Sequence, residues 1–160
     1  MLNQYSLETA PIPVERLAKS MGATLQLAQL DDELSGFVYV ENGVPIIGVN
    51  SGHHLHRQRF TIAHELGHLV LHREKIGDTV HVDKEFRVLR RDQKSGKGME
   101  RIEIEANAFA AELLMPEALL QEEAATPVDV DDDGRVVMLA KRFKVSPAAM
   151  RNRLLGLFIE

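Results

Sequence analysis

Residues 60 to 72, FTIAHELGHLVLH, place three histidines and a glutamate inside an otherwise apolar run. Such a run favours a buried helix, and burying His64, Glu65, His68 and His72 has to be compensated. A polar group removed from water without a partner costs roughly 1–3 kcal/mol by protein mutational data. Residues four apart share a helix face, about 6 Å apart along the axis. His64 and His68 can therefore converge on one metal ion, which for zinc puts each nitrogen at about 2.0–2.1 Å. Glu65 points about 100° round the helix from His64. It need not ligate and is placed to handle the proton of a water at the metal, the arrangement of H-E-x-x-H metallopeptidases. Gly67 removes bulk beside these groups.

Two histidines leave a zinc site short of a third protein ligand. His72 lies about 12 Å along the axis from His64, so a straight helix cannot bring all three onto one ion. The longer pattern that turns the chain at a second glycine toward a third histidine is absent. His72 is expected to support the site from behind. The segment RIEIEANAFAAELLMP offers Glu103, Glu105 and Glu112. Glu105 and Glu112 are seven apart and share a face, with Ala106 and Ala108 beside Glu105, whereas Glu103 lies well round from both. Spacing alone leaves Glu105 and Glu112 open.

The pair RQRFTIAHELGHLVLH and EIEANAFAAELLMP resembles the ImmA/IrrE family of zinc metallopeptidases, the second string being the more distinctive. The likeness continues in PVERLAKSMG and LAKRFKVSPAAMRNRL, and so covers nearly the whole chain. The resemblance implies a Zn²⁺ cofactor and Glu105, the residue before the Ala-Asn pair, as third ligand beside His64 and His68. Glu65 is then the catalytic base. It further implies limited proteolysis of an XRE-type helix-turn-helix repressor. The alternative from another class is a non-proteolytic interaction module or toxin component that binds a repressor or antitoxin partner. His81, Tyr39 and Arg59 are the candidates for stabilising an oxyanion. His53, His54 and His56 read as a solvated approach to the helix, since no carboxylate joins them at ligand spacing.

The rest of the chain suggests an α+β fold, a small antiparallel-containing sheet beside two zinc-holding helices. PVERLAKSMG carries Val14, Leu17, Ala18 and Met21 on one helical stripe. TLQLAQL alternates like a half-buried strand, with Leu25 and Leu27 on one face. GFVYVENGVPIIGVN is a hairpin signal, because Asn42-Gly43 suits a type I′ turn. About three strands are expected, all between 24 and 50. Pro45 donates no ladder bond and suggests a free edge near the start of PIIGVN, where an extended peptide could add as a strand. In the metal helix Phe60, Ala63, Gly67, Val70 and Leu71 are expected on one side. Residues 90–100, RRDQKSGKGME, read as a mobile surface loop, and Pro116 as the opening of a short helix.

The acidic break DVDDDG suggests a core over 1–128 and a C-terminal helical subdomain over 129–160. That tail reads as helix, turn, helix. Leu139, Phe143, Met150 and Leu154 form its apolar side, with Ser146 capping and Pro147 opening the second helix. Six Lys or Arg and no acid lie between Arg135 and Arg153, a helix-turn-helix-like basic pattern. A structural or partner role is favoured over direct DNA binding through 135–153, since the net charge is −5. Cysteine is absent, which excludes disulfides and thiolate metal sites. No leader-like N-terminal pattern and no apolar run of about 18 residues is visible, so a cytoplasmic protein without membrane contact is expected. The oligomeric state is not legible.

Overall fold

The computed structural model describes residues 7–76, 81–84 and 93–158. It is an α+β protein. Helix α1 (Val14–Ser20) leads to strand β1 (Thr24–Ala28), and strands β2 (Leu34–Glu41) and β3 (Val44–Asn50) form the hairpin. Helix α2 (Leu55–Leu71) follows, then the short α3 (Arg73–Ile76), strand β4 (His81–Lys84) and the long helix α4 (Gln93–Leu114). Helices α5 (Glu117–Ala124), α6 (Asp133–Phe143) and α7 (Pro147–Phe158) complete the described chain. Two compact units result: Val14–Ala110, and Met1–Pro13 together with Ala111–Glu160.

The hairpin forms as its sequence suggests. Asn42 and Gly43 take φ of +51° and +79°, the two positive values a type I′ turn needs. Among the described residues the sheet has four strands in the order β1-β3-β2-β4. β3 pairs in parallel with β1 and antiparallel with β2, and β2 pairs antiparallel with β4. The fourth strand therefore comes from beyond α2, outside the 24–50 window expected to supply the sheet.

This order also corrects the expectation that PIIGVN offers an edge. Ile46 to Val49 are covered on both sides, by β1 and by β2. Only Val44 and Pro45 extend past β1, and there the missing donor of Pro45 costs no ladder bond. A peptide cannot add to a strand already paired along both edges.

β3 is buried from Pro45 to Asn50, as befits the middle of the sheet. At the crossing of β2 and β3 two glycines allow close packing. A Cβ on Gly36 would lie 2.5 Å from the Gly48 carbonyl oxygen and from Thr61 of α2, while Gly48 is covered by the ring of Phe37. Helix α2 packs on β2 and β3 through this surface, and α1 packs on α2 and β1. Val14, Leu17 and Ala18 are buried as expected, whereas Leu27 on the edge strand is 70% exposed.

Helix α2 is buried at every position from Thr61 to Leu69. Its inward apolar residues are Ile62, Ala63, Leu66 and Leu69; Val70 and Leu71, expected on one side with Ala63 and Gly67, are exposed.

The stretch 90–100 also departs from expectation. It is helical from Gln93 onward, and residues 90–92 lie outside the described set. Gln, Lys, Met and Glu propagate a helix well, and two isolated glycines without proline do not stop one.

Candidate metal centre

Two helices of the Val14–Ala110 unit build the site. On α2, His64, Glu65 and His68 are 2%, 0% and 0% exposed. On α4 the buried stripe runs Ile102, Ala106, Ala110, each four residues after the last. Gly67 sets the approach of the two helices. A Cβ there would lie 3.2 Å from the Ala106 Cα and carbonyl oxygen and 3.2 Å from the Phe109 ring. With Ala106 turned to α2, the residue three before it, Glu103, and the one after it, Asn107, flank the contact.

The polar atoms follow from that phase. His64 Nε2 and His68 Nε2 stand 3.0 Å apart. The Glu103 carboxylate meets both, with Oε2 at 3.1 Å from His64 Nε2 and Oε1 at 3.2 Å from His68 Nε2. Among the described residues these three form the group whose ligand atoms lie close enough to share an ion. The Glu103 side chain is only 14% exposed.

These distances suit a metal. Ligands at about 2.05 Å in a tetrahedral site stand about 3.3 Å from one another. Two imidazole nitrogens and one carboxylate are a donor set that zinc accepts, and three such ligands leave a position open. A buried cluster of this composition needs a shared proton or cation between its lone pairs.

The outer faces of both imidazoles are held as well. His64 Nδ1 lies 2.8 Å from Asn107 Oδ1. His68 Nδ1 lies 3.2 Å from His72 Nδ1, and His72 Nε2 lies 2.7 Å from Glu105 Oε2. Arg101 Nε donates to Glu105 Oε1 at 2.8 Å. The hydrogen bond from His72, and after it Arg101, holds the Glu105 carboxyl below the ordinary carboxylate range.

Of the residues selected from the sequence, His64 and His68 are brought together. Glu105, selected as third ligand by resemblance, sits with His72 and Arg101, its side chain 39% exposed. Glu112 pairs with Arg153. Glu103 occupies the position beside both imidazoles. The signal that points to it is the phase of the buried stripe: Glu103, Ala106 and Ala110 fall at i, i+3 and i+7.

Arg59 is buried and turned to Glu15, 3.3 Å away; burial lowers its proton affinity and Glu15 partly restores it. Tyr39 stacks on Phe37 with ring centroids 6.0 Å apart. The His81 side chain lies outside the described residues. At the start of α2, His54 accepts from the His56 backbone N–H at 3.1 Å and caps the helix, and the two rings meet edge to face.

The arginines of the C-terminal unit are engaged within it. Arg135 donates to the carbonyls of Ala124, Thr126 and Pro127. Arg142 binds Glu123, Arg151 binds Asp133 and the Val130 carbonyl, and Arg153 binds Glu112 and the Met115 carbonyl. Ser146 caps α7 through the Ala149 N–H, and Leu139, Phe143, Met150 and Leu154 are buried. No helix among the described residues is long and apolar enough to cross a membrane.

Residues 18–155 match the IrrE N-terminal-like domain, peptidase family M78. No curated protein matches the chain.

Proposed function

The chain belongs to the IrrE N-terminal-like peptidase family M78, a metallopeptidase-type family, and we propose that it is a zinc-dependent endopeptidase. In this reading His64 and His68 ligate through Nε2 and Glu103 through its carboxylate, while Glu65 carries the proton. The observation that carries it is the convergence of two buried imidazole nitrogens and one carboxylate at 3.0–3.2 Å.

When bound, zinc supplies a Lewis acid that acidifies water and polarises a carbonyl. The chain's own groups do the rest. Asn107 accepts from His64 Nδ1 and fixes the ring so that Nε2 points inward. Glu65, fully buried one residue along from His64, takes a proton from the attacking water onto a carboxylate oxygen. It then delivers that proton to the departing amide nitrogen, so the peptide bond is exchanged for a carboxylate and an amine. The enclosure of α2 from Thr61 to Leu69 keeps bulk water off that carboxylate.

The substrate in this proposal is an XRE-type helix-turn-helix repressor, cleaved to relieve repression, and its support is the sequence resemblance to ImmA/IrrE peptidases. The protein works in the cytoplasm in this reading, where such a repressor would be met.

Glu65→Gln tests the mechanism. It should bind zinc as the wild type does and cleave an XRE-type repressor from the same genome about 10²–10⁴-fold more slowly. Undiminished cleavage by this variant would remove Glu65 from the reaction.

A further inference from the structure

The metal reading above assigns the inner nitrogens of the two imidazoles and leaves a chain of polar groups behind His68 unexplained. That chain is His68 Nδ1, His72 Nδ1 at 3.2 Å, His72 Nε2, Glu105 Oε2 at 2.7 Å, and Arg101 Nε on the other oxygen at 2.8 Å. We propose that His72 and Glu105 are positioning residues that hold His68 as an Nε2 ligand, and that neither of them ligates the metal.

Proton positions make this assignment consistent from end to end. If His68 gives its Nε2 lone pair to the metal, its proton must sit on Nδ1. His72 Nδ1 then has to accept, which places the His72 proton on Nε2. That proton points at Glu105, a carboxylate and the strongest acceptor present. Arg101 satisfies the second oxygen. Each imidazole nitrogen in the chain then has one role, and neither ring can flip without losing the contacts at both of its nitrogens.

The spacing explains why α2 carries a third histidine. His72 is four residues beyond His68, and the two rings are tilted 51° to one another with centroids 5.3 Å apart. It lies at the C-terminal end of α2, where its backbone N–H still bonds to the His68 carbonyl. His68 is therefore gripped by His72 through both backbone and ring. The two ligands are supported unequally: His64 rests on the neutral amide oxygen of Asn107, His68 on a relay that ends in a charged carboxylate. Alternation along α4 does the rest, since Glu103 and Glu105 lie about 200° apart round the helix. One meets the inner nitrogens and the other the outer ring.

This inference rests on the metal reading, and the experiment separates the two. Zinc affinity is measured by competition with a chelating indicator, and the cobalt-substituted protein is followed by its visible absorption. Wild type, His72→Phe, Glu105→Ala, Glu105→Gln and the His72→Phe/Glu105→Ala double variant are compared, with circular dichroism and apo-protein melting to establish that each is folded.

Loss of an outer partner lowers metal affinity by about 10–100-fold while one zinc per chain still binds at saturation. His72→Phe and Glu105→Ala should each fall in that range and alter the cobalt bands. Glu105→Gln keeps an oxygen that accepts from His72 and should recover most of the affinity. The double variant should be no weaker than His72→Phe alone, because both act through one chain.

Glu105 is partly exposed, so its substitution keeps the test alive if His72→Phe does not fold. Wild-type affinity and spectrum in Glu105→Ala, or full additivity in the double variant, would overturn the relay while leaving the metal reading standing. Loss of stoichiometric binding in Glu105→Ala would make Glu105 a ligand and overturn it too. A wild-type protein that binds no zinc would overturn the metal reading itself.

Discussion

Acids on the two halves of α4 face different cations. In the Val14–Ala110 unit, Glu103 meets two buried imidazoles. In the other unit, Glu112 meets the guanidinium of Arg153, and Glu123 and Asp133 likewise meet arginines. A guanidinium keeps its charge at every accessible pH, so its pair with a carboxylate is complete as it stands. An imidazole is neutral or charged according to its surroundings. Two of them sharing one carboxylate away from water are completed only by an added proton or cation. The arginine pairs hold a fold together, and the histidine cluster is open to chemistry.

That contrast can be broken most sharply at the acids themselves. Glu103→Ala should reduce bound zinc to background, while Glu112→Ala should leave one zinc per chain, both read by elemental analysis. Equal loss in the two would erase the distinction between the halves of α4.

The support behind His64 is the next lever. Asn107→Leu removes the acceptor at 2.8 Å and should weaken zinc about 10–100-fold. Unchanged chelator competition would mean that the His64 ring is held by packing alone.

Gly67→Ala probes how close the helices must come. Its Cβ would press on the Ala106 backbone at 3.2 Å, and backbone cannot yield as a side-chain tip does. Overpacking of this kind costs about 1–3 kcal/mol, measurable in denaturant melts of the apo protein. A neutral result would place the 3.2 Å contact within the slack of the helix pair.

At the other end of the scale, Arg142→Ala removes a surface pair with Glu123 whose side chains are 47% and 32% exposed. It should cost about 1 kcal/mol or less and leave zinc binding untouched. A larger loss, or a changed metal content, would show that the arginine pairs do more than tie helices.

Much of this architecture can be read from local pattern. The Asn42-Gly43 turn, the α1 stripe, Pro116 before α5 and the Ser146-Pro147 opening of α7 each depend on a few neighbouring residues. So does the pairing of His64 with His68, which lies within one helix turn. The parallel pairing of β1 with β3 and the pairing of β4 with β2, far back in the chain, are set by long-range contacts.

The third member of the cluster is the instructive case. Seven-residue spacing shows that Glu105 and Glu112 share a face, but not which face of α4 is turned to α2. That rotation is fixed by Gly67 against Ala106, a contact between residues far apart in the chain. The stripe of Ile102, Ala106 and Ala110 carries the phase and puts Glu103 inside. The string EIEAN drew the choice to Glu105, which in the structure sits at the outer end of the histidine chain.

The most direct measurement is the stoichiometry of zinc titrated into wild type, Glu103→Ala and Glu105→Ala under identical conditions. One zinc per chain in wild type and in Glu105→Ala, with none in Glu103→Ala, is the predicted result. One zinc in Glu103→Ala and none in Glu105→Ala would contradict it, and the inner and outer carboxylates would have to exchange roles.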